Sequence, residues 1–369
     1  AGLTYAQNLA NPRQTTTPND FGTTKQNRLS GGLDYKMGAW TGVLDVGLKN
    51  RTTESLFASF GSPLAVRQSD SAQISPKALY KGDMGGVALS STLGIDVQKW
   101  NFHGSNVPDS TFTPVTRNAK QSNRAWFATT DWLFPTQTRL VAGYRSEQIS
   151  KSAQDVGGAN TSNVLNNQLK ATELSANQTL DKGLDIYARA AKSYRLGVLE
   201  DYMVTSAGTP LRPQISNDKE IGIKSRQAGR SFTARYFLQN TVDEIYFDPM
   251  TFTNINFDPT KRSGIELQGT SDLGSAVTLS GSLQAMSAVF TSGTYAGKHI
   301  PLVNERTATV RATYRIDSKQ SFESAWRMLG STFAGSDEAN NCGTKVPSSR
   351  MLDALYRWRD KGFEVSFGA

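Results

Sequence analysis

Leu184-Asp185-Ile186-Tyr187-Ala188-Arg189-Ala190-Ala191-Lys192-Ser193-Tyr194-Arg195 decides the architecture, because apolar and polar side chains alternate along it. Leu184, Ile186, Ala188, Ala190 and Tyr194 share one parity; Asp185, Tyr187, Arg189, Ser193 and Arg195 share the other. Successive strand side chains point to opposite faces, so the segment is a ribbon greasy on one side and polar on the other. The split recurs at Val277, Leu279, Leu283 and Ala285 against Thr278, Ser280, Ser282 and Gln284. It recurs again at Ala308, Val310, Ala312, Tyr314 and Ile316 against Thr307, Thr309, Arg311, Thr313 and Arg315.

Working outward, such segments pair across tight turns: 25–36 with 40–49, 69–81 with 87–102, 124–134 with 138–149, and 169–180 with 184–196. The series continues with 218–226 and 231–247, 261–271 and 277–290, 305–316 and 320–333, and 350–359 with 363–369. The short connections are rich in Gly, Asp, Asn and Pro, which two- to five-residue turns require. Between hairpins the connections are long and polar, as at 51–67, 104–122, 150–167, 197–217, 248–259, 293–304 and 335–348; residues 1–24 also read as loop. Roughly sixteen strands with long loops on one side only are what a transmembrane, antiparallel, up-and-down β-barrel shows. A propeller would need a per-blade repeat, and none is visible. A sandwich of this many long strands would be implausibly large.

Composition fits this all-β reading. Hydrophobic residues make up 37% of the 369 and charged residues 20%, as expected when only alternate residues face lipid. No run reaches the roughly eighteen apolar residues of a membrane-spanning helix. The chain opens on Ala1-Gly2-Leu3 without Met, so it is expected to be a piece of a longer precursor. The net charge of +8 is scattered singly along strands and turns, which argues against a nucleic-acid partner and for a lumen that favours anionic solutes. Cys342 is alone and His103 and His299 lie far apart, so neither a cysteine nor a histidine metal cluster is expected, and no nucleophile constellation points to an enzyme.

Tyr35, Trp40, Tyr80, Trp132, Phe134, Phe232, Tyr314, Phe322, Tyr356, Trp358 and Phe363 all lie near tight turns, on their strands' apolar parity. This is the pattern of an aromatic girdle at the periplasmic interface with outer-membrane lipid. Lumen-parity arginines Arg189, Arg195, Arg235, Arg311 and Arg315 read as ordinary solvated lumen charges, expected to pair with neighbours such as Asp185 and Glu266; a place along a solute path is the alternative. Asp243 and Glu244 read as solvated charges near a loop. First contact with a ligand is expected from Tyr202, Arg212, Phe252, Phe257, Tyr295 and His299, with Arg195 behind them. Exposed rings give flat contact area, and a cation meets an acidic or metal-chelate solute.

Four stretches resemble TonB-dependent outer-membrane receptors. Tyr187-Ala188-Arg189-Ala190-Ala191-Lys192-Ser193-Tyr194-Arg195 is similar to their Y-A-x-x-S-x-G-F-R strand, with Tyr194 for the usual Phe. Leu211-Arg212-Pro213-Gln214 followed by Glu220-Ile221-Gly222 resembles L-x-P-E … E-x-G, with Gln214 for Glu. Arg262-Ser263-Gly264-Ile265-Glu266-Leu267 and Tyr295-Ala296-Gly297-Lys298-His299-Ile300-Pro301-Leu302-Val303 complete the set. The resemblance implies a twenty-two-stranded barrel, of which about sixteen strands are here, a plug domain, and a TonB box engaging the TonB–ExbB–ExbD complex. Plug, box and the remaining strands are expected outside this sequence. It further implies a monomer that needs no cofactor and imports a ferric siderophore, cobalamin or comparable chelate. A passive porin is the alternative.

Overall fold

A computed structural model describes residues 3–11, 13–57, 62–106, 116–156, 162–181, 183–197, 211–248 and 253–369. After helix α1 (Tyr5–Ala10) the chain runs through β1 (Phe21–Met37), β2 (Trp40–Phe57), β3 (Ser62–Met84), β4 (Val87–Asn106), β5 (Thr116–Leu133), β6 (Thr138–Val156), β7 (Ser162–Thr179) and β8 (Leu184–Arg195). There follow β9 (Gln214–Gln227), β10 (Arg230–Val242), β11 (Ile245–Asp248), β12 (Thr253–Asn256), β13 (Thr260–Leu273) and β14 (Val277–Phe290). β15 (Arg306–Arg315), β16 (Gln320–Leu329), β17 (Ser349–Asp360) and β18 (Phe363–Gly368) close the series. All but β11 and β12 form one sixteen-stranded sheet in sequence order, every neighbouring pair antiparallel. The sheet is open, its free edges on β1 and β18.

The parity set by residues 184–195 holds along the wall. Leu184 and Leu279 are each 37% exposed and Val310 is 49% exposed, on the face that carries the apolar side chains. The opposite face carries Asp185, Tyr187 and Arg189, partly covered by side chains of neighbouring strands. Tight turns use left-handed glycines where the connection demands them, as at Gly229 (φ 68°) and Gly274 (φ 69°).

Several boundaries differ from the sequence reading. Residues 1–24 are not all loop: Thr4 caps α1 in a reciprocal box with Gln7, and β1 begins at Phe21. Much of the polar connections 51–67, 104–122 and 150–167 is strand, because β2 to β7 extend well past the apolar belt. A polar stretch offers no greasy parity to read, yet its backbone groups still find partners across the ladder. The expected strand 231–247 breaks at Asp243, which takes a left-handed φ of 55°. β11 then pairs with β12 in a separate hairpin where a plain loop was expected. β16 stops at Leu329, short of Phe333.

Candidate functional site

The long-loop end of the later strands carries a packed cap. Phe257, Ala288, Phe290 and Ile300 are buried together, with Tyr246, Ile255, Tyr295 and Val303 against them. Phe257 stacks on Tyr246 at 4.2 Å between ring centroids and meets Phe290 edge-on at 5.2 Å. Tyr295 tilts against Phe290 at 5.9 Å. The β11–β12 hairpin and the 290–305 loop are therefore one body. The 331–346 loop joins it where the Ser336 N–H donates to the Tyr246 hydroxyl at 3.3 Å, and where Asn340 brackets His299 through its N–H at 2.6 Å and its C=O at 3.0 Å.

Charged groups tie the cap to the wall. Arg262 reaches Glu244 with both terminal nitrogens, at 2.9 and 2.7 Å, and the Thr260 hydroxyl donates to the same carboxylate at 2.8 Å. Glu244, read as a solvated charge, is thus a half-buried anchor. Arg212 donates to Asp243 at 2.8 Å through Nε, while Asn256 bonds both the Arg212 backbone and the Asp243 carbonyl. Arg195 donates to the Ile245 carbonyl at 3.4 Å. His299 pairs with Glu305 at 2.9 Å and stacks on Phe333 at 5.6 Å.

Arg195, Arg212, Phe257, Tyr295 and His299 are thereby brought to one cap, though with different exposures. Arg212 is 63% exposed, and His299 and Tyr295 are half-buried. Phe257, expected as an exposed loop ring, is 6% exposed and belongs to the core of the cap. Tyr202 and Phe252 lie outside the described residues. Among the described residues no group of His, Cys, Asp and Glu is arranged to hold a metal.

Inside the wall, cations meet carboxylates across strands. Arg235 bridges Glu220 at 2.9 Å and Glu266 at 2.5 Å, and the Tyr187 hydroxyl donates to Glu220 at 2.7 Å. On the other side of β8, Arg145 bridges Asp96 and Glu147, and Tyr194 hydrogen-bonds Glu147. Tyr194 thus faces the lumenal network, although its parity placed it with the apolar set. Arg189 pairs with Glu173, not with Asp185, which accepts from Thr179. Residues 185 and 189 sit on one strand, about 13 Å apart at its rise per residue, too far for a salt bridge. Arg311 meets Glu323 at 3.3 Å.

At the tight-turn end, aromatic side chains meet one another across the ladder. Trp40 packs on Tyr80 at 5.0 Å, and a row Tyr314, Phe322, Tyr356, Phe367 runs through directly opposed register positions. Tyr35, Phe232 and Phe363 are exposed, at 69%, 43% and 75%; Trp132, Phe134 and Trp358 are half-buried. The sequence reading missed a second outward pair farther up the wall, Trp126 and Tyr144 at 4.9 Å. Trp126 continues the parity of Trp132, which is the signal that could have found it.

The family model described as TonB dependent receptor-like, beta-barrel matches residues 1–369. Comparison with curated proteins returned no match. Solved structures share the fold. The ferric yersiniabactin uptake receptor FyuA from Yersinia pestis is 18% identical, with 92% of this chain and 55% of that one covered and a TM-score of 0.78. The ferric citrate transporter FecA in its unliganded form is 15% identical, covering 100% and 59%, with a TM-score of 0.83. The siderophore receptor PiuA from Acinetobacter baumannii is 15% identical, covering 95% and 60%, with a TM-score of 0.77. The chain thus spans 55 to 60% of the length of these proteins.

Proposed function

Because the chain belongs to the family of TonB-dependent receptor-like β-barrels, which reside in the bacterial outer membrane, we propose that it forms the wall and mouth of an energy-coupled importer of a ferric siderophore or similar metal chelate. The observation that carries this is the whole-chain family match on a sixteen-stranded sheet with a polar, ion-paired inner face. Three structural neighbours named for ferric yersiniabactin, ferric citrate and siderophores support a ferric chelate over cobalamin.

In this reading the cap makes first contact. Arg212 and His299 offer cationic or hydrogen-bonding groups to an anionic chelate, and Tyr295 offers ring area. A plug domain fills the lumen and a TonB box couples it to the TonB–ExbB–ExbD complex. A wall alone cannot move a solute against its gradient, so the driving force comes from those partners. The importer works as a monomer.

Growth of an iron-starved strain on single ferric chelates, with and without the gene, tests the proposal. One chelate whose use as iron source needs both the gene and TonB is the expected result. Gene-dependent uptake that persists without TonB, with large stable conductance in planar bilayers, would replace it with a passive porin.

A further inference from the structure

β14 differs from every other strand of the wall. Among the described residues it is the one strand of the sixteen-stranded sheet that carries no Asp, Glu, Lys or Arg. Its inner-face file runs from Thr278 beside the tight turn through Ser280, Ser282, Gln284 and Met286 to Ala288 and Phe290 in the core of the cap. Gln284 stands directly opposite Glu266, the carboxylate that Arg235 holds across the lumenal wall, which fixes the file as lumenal. At its upper end Tyr295 packs against Phe290.

Register widens this uncharged surface to three strands. Ser282 opposes Gln268 on β13 and Thr309 on β15, and Ser280 opposes Thr270. These side chains border a groove of about 300 Å³ on the inner face. Charged residues at its margins are engaged on the sides away from β14. Arg311, opposite Ser280, meets Glu323 on β16 at 3.3 Å. Glu266 is held by Arg235 on β10 at 2.5 Å and accepts from the Gln268 amide at 2.7 Å. At the turn the file ends where the Thr278 hydroxyl donates to Asp272 at 2.7 Å. The inner face from β4 to β10, by contrast, is crossed by the ion pairs of Arg145, Arg189 and Arg235.

A solute that crosses a lumen needs contacts favourable enough to enter and weak and repeated enough to leave. Neutral hydrogen bonds have that character, at about 0.5–1.5 kcal/mol net each, roughly half the worth of bonds to charged groups. An unpaired arginine would hold an anionic chelate in place, and an unpaired carboxylate would repel it. Along β14 the inner-face rungs recur about every 7 Å, with cross-strand neighbours about 5 Å to either side, so a bulky chelate reaches the next rung before it leaves the last. We infer, on the strength of the importer reading, that this file is the lane along which the chelate passes from the cap to the tight-turn end. Ser280, Ser282 and Gln284 are its successive contacts, with Gln268 and Thr270 on one side and Thr309 on the other.

The test measures radioiron uptake by iron-starved cells carrying the intact receptor, the iron supplied as citrate, trihydroxamate or triscatecholate complexes. Binding of the same complexes is measured on cells lacking TonB. In Ser282→Trp the maximal uptake rate should fall about tenfold or more, while binding and the half-saturating concentration stay within about twofold. Thr92→Trp, which puts the same bulk on the inner face of β4 opposite Thr129, should leave both unchanged. Should Ser282→Trp fail to fold, the bulk is added after folding. Ser282→Cys in a Cys342→Ser background should keep uptake when capped by methyl methanethiosulfonate, lose it when capped by the benzyl reagent, and regain it when a reductant removes the cap. Uptake indifferent to the Trp or benzyl group, equal losses at Ser282 and Thr92, or binding lost together with uptake would each overturn the lane and leave the importer standing. An unaltered receptor that takes up none of the three complexes overturns the importer reading, and the lane falls with it.

Discussion

The cap and the wall are stabilised by different physics. In the cap, Ala288 and Phe290 are each 1% exposed and Ile300 is 3% exposed, in a core like that of a small water-soluble domain. On the outer face of the wall, by contrast, Leu184 and Leu279 are 37% exposed and Val310 is 49% exposed. The wall holds together through its ladder, its cross-strand ion pairs and scattered ring contacts such as Trp40 on Tyr80, and its outward apolar side chains are matched to lipid. The two regions should therefore answer the same kind of mutation differently.

Phe290→Ala should have the largest effect, about 3–5 kcal/mol, because it opens a cavity at the centre of the aromatic cluster that joins the β11–β12 hairpin, β14 and the 290–305 loop. Hydrogen exchange should rise across 245–257 and 288–303 while the ladder of β1 to β8 keeps its protection. If the wall loses protection equally, cap and wall are one cooperative unit and the comparison fails. A charge placed on the wall sharpens it from the other side. Val310→Arg puts a guanidinium into lipid and should cost about 2–4 kcal/mol, whereas Thr309→Arg, one residue away on the lumenal face, should be close to neutral. Folding yield into lipid vesicles across a urea series measures both. Equal costs would mean that the two faces of β15 are not lipid and water.

How much of this was legible in the sequence follows the same division. The wall was readable because lipid on one side and water on the other impose a period of two, as Leu184 to Arg195 shows. Its upper extensions were not, since Ser, Asn and Gln alternate with nothing that contrasts. The cap was misread most at Phe257: a ring in a loop looks exposed until the partners that bury it, Tyr246 and Phe290, are known to be neighbours, and those lie on other elements. Ion pairs were half-readable. Glu266 is legible as a partner for the lumen arginines, and Arg235 meets it, but which arginine pairs with which carboxylate, as Arg189 with Glu173, needs the register between strands, which no local pattern encodes. The capping box of Thr4 and Gln7 was available from spacing alone and was passed over.

A smaller effect is expected where cap meets wall through an exposed pair. Arg212→Ala removes the contact to Asp243, but Arg212 is 63% exposed, so solvent screening should hold the global cost below about 1 kcal/mol. Asn256 keeps its own bonds to the Arg212 backbone and the Asp243 carbonyl, so hydrogen exchange at 211–213 should change only locally. A chelate affinity that falls by far more than this stability change would assign Arg212 to binding and not to bracing.

The subtlest difference is pH dependence, confined to the 331–346 loop. Asp337 is 2% exposed. Burial alone would push its carboxyl up, but the N–H groups of Asn341 at 2.8 Å and Cys342 at 3.3 Å, together with the Cys342 thiol, more than reverse this and hold it below the usual carboxylate range. A carboxyl held low in the folded loop resists protonation that the unfolded segment would accept. Its contribution is therefore complete above the unfolded value of about 3.9 and is lost as pH falls through the folded one. Amides of Asn341 and Cys342, corrected for intrinsic exchange, should begin to lose protection as pH falls below the unfolded value of about 3.9, while those of β9 and β10 do not. Asp337→Asn should flatten that dependence. The same contact pushes the Cys342 thiol up, so Asp337→Asn should also speed alkylation of Cys342 near neutral pH. Alkylation at an unchanged rate, with the pH dependence kept, would move the titrating group elsewhere in the cap.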